Sequence, residues 1–116
     1  MLLDDSNPIL TNVTISGNSA EDDGGGIFIK DCSPVIENCI VKNNAGGSYA
    51  YAGVGIHITK TSSTSIVSID DCIISNNSGV GISINDRRTV YVKNSLIYEN
   101  SGTGISCQNY PQFKII

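Results

Sequence analysis

Residues 67–84 read VSIDDCIISNNSGVGISI, and variants of this phrase occur four times in a chain of 116 residues. The first half ends each time at an asparagine: PILTNVTISGN (8–18), PVIENCIVKNN (34–44), VSIDDCIISNN (67–77) and VYVKNSLIYEN (90–100). The second half is rich in glycine: GGGIFI (24–29), GVGIHI (53–58), GVGISI (79–84) and GTGISC (102–107). Such a repeat predicts one structural unit stacked on itself.

The copies differ in length only between their two halves. Successive anchor asparagines, Asn18, Asn44, Asn77 and Asn100, lie 26, 33 and 23 residues apart. Insertions confined to turns are typical of solenoids, in which each coil contacts only its neighbours. The predicted coils span about 7–33, 34–63, 64–89 and 90–111, in one domain of residues 1–116, and a fifth coil begins at 112–115.

Apolar residues recur at the same inward positions of every copy, which predicts three short strands per coil. Side chains of like size would stack in ladders, with parallel strands about 4.8 Å apart. The predicted ladders are Leu10, Ile36, Ile69 and Val92; Ile15, Val41, Ile74 and Ile97; Ile27, Ile56, Ile82 and Ile105; and Ile29, Ile58, Ile84 and Cys107.

Polar residues recur at the two bends. Asparagine tolerates the left-handed backbone region, and stacked amides can bond to one another along a ladder. The glycines at the third corner indicate positive φ angles or a close backbone approach. We therefore assign a structural role to Asn12, Asn38, Asp71 and Asn94 at the first bend and to Asn18, Asn44, Asn77 and Asn100 at the second.

This pattern resembles the right-handed parallel β-helix repeats of the pectate-lyase-like superfamily. The motif P-x-I-x-N-C-x-I-x-x-N followed by G-G-G-I-x-I is nearest to bacterial surface and secreted proteins of the polymorphic outer-membrane type. The resemblance covers about residues 7–107. It implies an all-β, single-stranded β-helix of about four coils, located outside the cell or on the surface of a prokaryote.

The chain is expected to be a fragment of a longer solenoid or to depend on assembly. Residues 1–6 are too short for a cap, and an uncapped end exposes strand edges and core side chains. Further coils or another chain are therefore the expected partners at the open ends.

Composition excludes several classes of partner. The formal net charge is −4, and Arg87–Arg88 is the longest basic run, so nucleic acid is not an expected partner. No apolar run reaches the roughly 20 residues of a membrane span. His57 is the single histidine and the cysteines form no CxxC pair, so a zinc site is not expected.

Outward positions on the third strand are where polysaccharide-cleaving members of the superfamily place their working residues. In this chain they are Phe28, His57, Ser83 and Ser106, followed by Lys30, Thr59, Asn85 and Gln108. A calcium-dependent lyase needs several oxygen ligands there, and a glycosidase needs two carboxylates. The sequence predicts neither. His57 is expected to face solvent as an ordinary strand residue, although a role as general base or sugar contact is the alternative.

Two loop insertions are expected at one corner of adjacent coils. They bring Glu21, Asp22 and Asp23 beside Tyr49 and Tyr51, at the edge of the face with Phe28 and His57. Aromatic rings and carboxylates are groups that bind sugars. This is the candidate ligand site, for a glycan or, with the three acids, for calcium; the structural alternative is a solvated turn.

One outward row on the second strand is mostly apolar. Thr14, Ile40, Ile73 and Leu96 are expected to be vertical neighbours, and an exposed apolar patch more often marks a contact with another domain or chain. Strand propensity alone is the other explanation. Cys39 and Cys72 share an inward position and are expected to be small buried hydrophobes.

Two functions remain open. In the first, the segment is a non-catalytic repeat with carbohydrate-related binding or adhesion at a cell surface. In the second, it belongs to a polysaccharide lyase or glycoside hydrolase whose catalytic residues lie mostly on other coils. The missing carboxylates favour the first.

Overall fold

A computed structural model of the chain describes residues 1–46, 53–59, 64–85, 89–108 and 112–116. Within these ranges the regular structure consists of short β-strands. The strands are β1 (Leu2–Asp4); β2 (Ile9–Thr11), β3 (Thr14–Ser16), β4 (Ser19–Ala20) and β5 (Ile27–Lys30) in coil 1; β6 (Val35–Glu37), β7 (Ile40–Lys42), β8 (Ala45–Gly46) and β9 (Gly53–Thr59) in coil 2; β10 (Ile66–Asp70), β11 (Ile73–Ser75) and β12 (Val80–Asn85) in coil 3; β13 (Thr89–Lys93), β14 (Leu96–Tyr98) and β15 (Ile105–Gln108) in coil 4; and β16 (Gln112–Ile115).

The strands form three parallel sheets that run the length of the solenoid. Sheet 1 has the order β2-β6-β10-β13-β16, sheet 2 the order β3-β7-β11-β14, and sheet 3 the order β1-β5-β9-β12-β15. Each strand pairs with the corresponding strand of the next coil, so coil follows coil without a change of order. The predicted all-β solenoid of about four coils is confirmed.

The register confirms the four predicted ladders. Ile36 pairs with Leu10 and Ile69, Val41 with Ile15 and Ile74, and Ile82 with Ile56 and Ile105. The ladder isoleucines of the two central coils are completely buried, and each such side chain contributes about 1.5–3 kcal/mol through burial of apolar surface. The core is therefore a stack of like residues, and β-branched side chains fit it because they suit pleated strands.

Residues 2–4 form a strand of sheet 3, which the sequence did not predict. β1 pairs with β5, so that Leu3 lies beside Ile29 and extends its ladder by one residue. Leu3 is buried, because its side chain points into the same core. β1 thus supplies a sheet 3 strand one level before coil 1, and at the other end β16 pairs with β13 as the expected start of a fifth coil.

The second bend carries a continuous hydrogen-bonded asparagine ladder. The backbone N–H and the Nδ2 of Asn44 both donate to Oδ1 of Asn77, over 3.0 Å each. Asn18 donates in the same way to Asn44, and Asn77 donates to Asn100. The side-chain amides of Asn44, Asn77 and Asn100 also each donate to a backbone carbonyl of the preceding coil. Asn77 Nδ2, for example, donates to the Val41 carbonyl at 3.1 Å. The predicted amide ladder is confirmed here.

At the second bend, the residues with left-handed backbone are not the ladder asparagines, as predicted, but their neighbours. Gly17, Asn43, Asn76 and Glu99, each one residue before a ladder asparagine, have φ angles of 69°, 55°, 54° and 52°. The ladder asparagines themselves do not have positive φ angles. At the first bend the prediction is right, since the φ angles of Asn12, Asn38, Asp71 and Asn94 lie between 48° and 59°.

The first bend lacks a continuous amide ladder. Asn38 Nδ2 donates to Asn12 Oδ1, but Asn94 Nδ2 donates to Asp70 Oδ1 at 3.1 Å and not to Asp71. The carboxylate side chain of Asp71 has no N–H to donate to the next coil, so the expected chain of side-chain amides is interrupted there.

Glycine at the third corner is required by close packing between coils. A Cβ on Gly55 would lie 2.3 Å from the Gly81 carbonyl oxygen and 3.1 Å from Asn77 Nδ2. Equivalent clashes occur at Gly26 and Gly81, and Gly24 has a φ of 64°. The structure therefore shows both expected features at this corner, which are a positive φ at Gly24 and close backbone packing at Gly26, Gly55 and Gly81.

The four cysteines are free thiols. Cys39 Sγ and Cys72 Sγ each donate to backbone carbonyls over 3.2–3.5 Å, and burial raises the pKa of the Cys72 thiol. Cys39, Cys72 and also Cys32 are buried within the apolar core, which confirms the expected role for the first two.

Replacement of Asn77 tests the ladder. Asn77→Ala removes four hydrogen bonds of a buried amide and leaves their partners unsatisfied, so we expect the free energy of unfolding in urea to fall by about 3–5 kcal/mol. The control is the exposed neighbour with positive φ, because Asn76→Gly should change it by less than about 0.5 kcal/mol. Equal effects of the two changes would contradict the ladder's role.

Candidate functional site

The outward face of sheet 3 carries the candidate ligand site. Strand pairing aligns one side chain from each strand into a vertical row. This row, here called the sheet 3 row, consists of Leu2, Phe28, His57, Ser83 and Ser106.

Phe28 and His57 form a stacked pair at the centre of the row. Their ring centroids are 5.4 Å apart and their planes differ by 17°. His57 is only 4% exposed, and Ser83 beside it is 2% exposed. The expectation that His57 faces solvent is therefore wrong. Its ring lies against the Phe28 ring of the preceding coil, and the centre of this outward face is closed to water.

Burial changes the acid–base chemistry of His57. Loss of hydration lowers the pKa of the imidazole, and the negative charge of Asp23 opposes that shift without cancelling it. His57 is consequently neutral at pH 7, with one ring nitrogen able to donate and the other able to accept a hydrogen bond.

The short strands at the starts of the two loop regions lie side by side. β4 pairs with β8, and the tight contact at Ala20 requires glycine at position 46, where a Cβ would lie 2.1 Å from the Ala20 carbonyl oxygen. Glu21 and Asp22 are exposed, whereas Asp23 is half-buried and lies close enough to act on His57. Tyr49 and Tyr51 lie outside the described residues. The structure thus brings together Phe28, His57 and Asp23 from the predicted set.

Metal ligands do not converge in the described part of the chain. No three His, Cys, Asp or Glu side chains there lie close enough together to hold a metal ion. Binding of calcium by Glu21, Asp22 and Asp23 stays a prediction.

One carboxylate does lie on the sheet 3 face, which the sequence analysis missed. Asp4 on β1 pairs with Lys30, and Lys30 Nζ contacts Asp4 Oδ2 at 3.1 Å. This hydrogen bond, with the attraction between the charges, raises the pKa of Lys30. The similarity between LLD (2–4) and FIK (28–30), two apolar residues before a charged one, was the available signal. A single ion-paired carboxylate is not the pair that glycoside hydrolysis needs.

A second surface lies on sheet 2. Thr14, Ile40, Ile73 and Leu96 occupy one outward row on consecutive strands, as predicted. Leu96 is 61% exposed, and Ile40 and Ile73 are half-buried. A shallow groove of about 350 Å³ is lined by Thr14, Ile40 and Ile73 of this row, and also by Asn12, Asn38 and Asp71 of the first bend. Contact of Ile40, Ile73 and Leu96 with another chain stays a prediction.

Comparison with known families agrees with this geometry. The family model described as "Right handed beta helix region" matches residues 1–68 and, in a second match, 53–116. The chain belongs to the right-handed beta helix family. No curated protein and no solved structure gave a significant match. In the part of this β-helix that the structure describes, no helix is long and apolar enough to cross a membrane.

Titration of His57 gives a direct test of its burial. The pKa of its imidazole should lie below the ordinary value of 6.5, and Asp23→Asn should lower it further because a favourable negative charge is lost. The unfolded chain then binds the proton more readily than the folded chain. Stability is therefore fully present above pH 6.5 and declines as the pH falls from there to the native pKa.

NMR of the imidazole signals measures both effects without ambiguity, since the chain has one histidine. His57→Gln should remove this part of the pH dependence of urea unfolding. A native pKa at or above 6.5 would contradict the burial of this side chain.

Proposed function

We propose that this β-helix is a non-catalytic segment that binds a glycan on sheet 3 beside Phe28 and Asp23, the half-buried members of the candidate site. The observation that supports this most is the stacked Phe28–His57 pair with Asp23 beside it. The accessible part of the Phe28 ring can pack against the apolar face of a sugar ring, while the carboxylate of Asp23 can accept hydrogen bonds from hydroxyl groups. His57, buried behind Phe28, holds that ring in place. The binding function is carbohydrate recognition or adhesion.

The accessible end of the sheet 3 row defines the surface. Leu2 is exposed and Phe28 is half-buried on neighbouring strands about 4.8 Å apart, whereas His57 and Ser83 beyond them are closed to water. Asp23, in the first loop insertion, lies close to His57 and would form one side of this binding surface. Solenoids commonly place such insertions on their binding face.

The proposed setting is the outside or the surface of a prokaryotic cell. The resemblance to secreted and surface β-helix repeats supports it. No cofactor is needed for this function, and calcium at Glu21, Asp22 and Asp23 is the one addition to be tested.

The alternative is a coil segment of a polysaccharide lyase or glycoside hydrolase. On the described sheet 3 face the single carboxylate, Asp4, is paired with Lys30, which supports neither a calcium-dependent lyase nor a carboxylate pair. Under this alternative the catalytic residues lie mostly on coils other than these.

A glycan array tests the binding function. Phe28→Ala should weaken retention of bound glycans about tenfold, the loss of one aromatic contact of roughly 1.4 kcal/mol. The matched control is Leu96→Ala, an exposed apolar side chain on sheet 2 that should leave retention unchanged.

Three outcomes distinguish the functions. Equal loss in both variants, or no retained glycan, would contradict glycan binding on sheet 3. Loss of retention in a calcium chelator would support the acidic loop as a cation site. Shortened glycan products would favour the enzyme alternative.

A further inference from the structure

The described strand residues of sheet 3 include one lysine and no arginine, and that lysine is already paired. Lys30 Nζ contacts Asp4 Oδ2 at 3.1 Å, and the two side chains are 35% and 39% exposed. The carboxylates of Asp31 and Asp5, which directly follow these two strands, attract the same ammonium group. Lys30 is therefore reachable from solvent, but its charge is matched by carboxylates of the protein itself.

Phe28 lies between this ion pair and the acidic turn that precedes β5. Lys30 is two residues further along β5, which places it about 6.6 Å from Phe28 along the strand. On the other side, a Cβ on Gly24 would lie 2.8 Å from Phe28 Cβ, so the preceding residue, Asp23, is held near Phe28. A sugar ring placed on Phe28 would thus have charged side chains of the protein on both sides.

The side chains before and after Phe28 carry an excess of negative charge. Within the described residues, the single ammonium group of Lys30 stands against the carboxylates of the turns before and after β5 and of β1 with its following turn, which are Asp4, Asp5, Glu21, Asp22, Asp23 and Asp31. Exposed charges act on one another up to about 8 Å at physiological ionic strength. This surface therefore attracts a cationic ligand and repels an anionic one.

We propose that the sheet 3 site selects a glycan that carries free amino groups, with glucosamine oligomers as the chemical class, and rejects polyuronates. This inference rests on the proposed function and adds the charge of the glycan to it. The apolar face of the sugar ring packs on the accessible part of Phe28, and a protonated amino group donates to the carboxylate of Asp23. A hydrogen bond between two charged groups is stronger than one between neutral groups.

The ion pair explains why a uronate is a poor ligand for this site. A sugar carboxylate needs a cation that is free to pair with it, and Lys30 would have to leave Asp4 to do so. Asp4, Asp5 and Asp31 would then repel the incoming carboxylate. An N-acetylated sugar is neutral, so it keeps the ring contact with Phe28 and loses only the charge-assisted hydrogen bond. The expected order of affinity is amino sugar, N-acetylated sugar, uronate.

Three glycans of matched length test this order. Isothermal titration of the full chain uses the tetramers of glucosamine, N-acetylglucosamine and galacturonic acid, in mildly acidic buffer in which the amino groups are protonated. The glucosamine tetramer should bind about fivefold more tightly than the acetylated one, the effect of one exposed ion pair. The galacturonic acid tetramer should not bind, either in a chelator or with calcium. A roughly tenfold rise in salt should weaken binding of the glucosamine tetramer alone.

Asp23→Asn removes the proposed charge and keeps the shape of the side chain. It should weaken binding of the glucosamine tetramer about fivefold and that of the acetylated tetramer less than about twofold. The matched control is Asp71→Asn, which removes the same charge from an exposed residue of the first bend, between sheets 1 and 2. This control should leave both affinities unchanged.

The results separate this inference from the proposed function. Equal binding of the amino and acetylated tetramers, binding of the uronate tetramer, or equal effects of Asp23→Asn and Asp71→Asn would overturn the charge preference. Glycan binding itself would still hold if Phe28→Ala weakened whichever tetramer bound. If none of the three tetramers bound, both the proposed function and the charge preference would be overturned.

Discussion

The hydrogen bonds of the buried asparagine ladder are the constraint on which the other features rest. Asn44 accepts from Asn18, donates to Asn77 and donates back to Ile15, so one amide connects three successive coils. A buried amide without such partners would cost about 1–3 kcal/mol for each unmet group. The ladder therefore ties each coil to a single register with the next, and the isoleucine ladders follow because like positions then lie above one another.

The same register has a steric consequence at the neighbouring corner. The ladder amides and the carbonyls of the next coil come so close to Gly26, Gly55 and Gly81 that a side chain does not fit. Asparagine at one bend thus requires glycine at the next.

Register also builds the surface rows. Because residues alternate across each strand, the stacking that buries Ile27, Ile56 and Ile82 brings Phe28 and His57 together on the other face. Their contact closes the centre of that face to water and keeps the imidazole neutral. The candidate site is therefore a product of core stacking, and its acidic member, Asp23, is added by a turn of the preceding coil.

Much of the fold could be predicted because the four copies of the repeat can be aligned with one another. Each isoleucine ladder is visible in four aligned copies, and the ladder asparagines are found at the same place in each. Prediction was weaker where a residue has no counterpart in the alignment. Leu3 and Asp4 belong to a single strand before the first full copy, and the pairing of Ala20 with Gly46 depends on turns of different length.

The sequence by itself determined the coil, the inward ladders and the asparagine and glycine corners, because these follow from local periodicity repeated four times. Only the tertiary structure decided that His57 is buried, that Asp4 is paired with Lys30, and that the left-handed residue precedes each ladder asparagine. Burial and charge pairing depend on which side chains meet between coils. Periodicity states which side of a strand a residue is on, but the neighbours that cover it come from stacking in space.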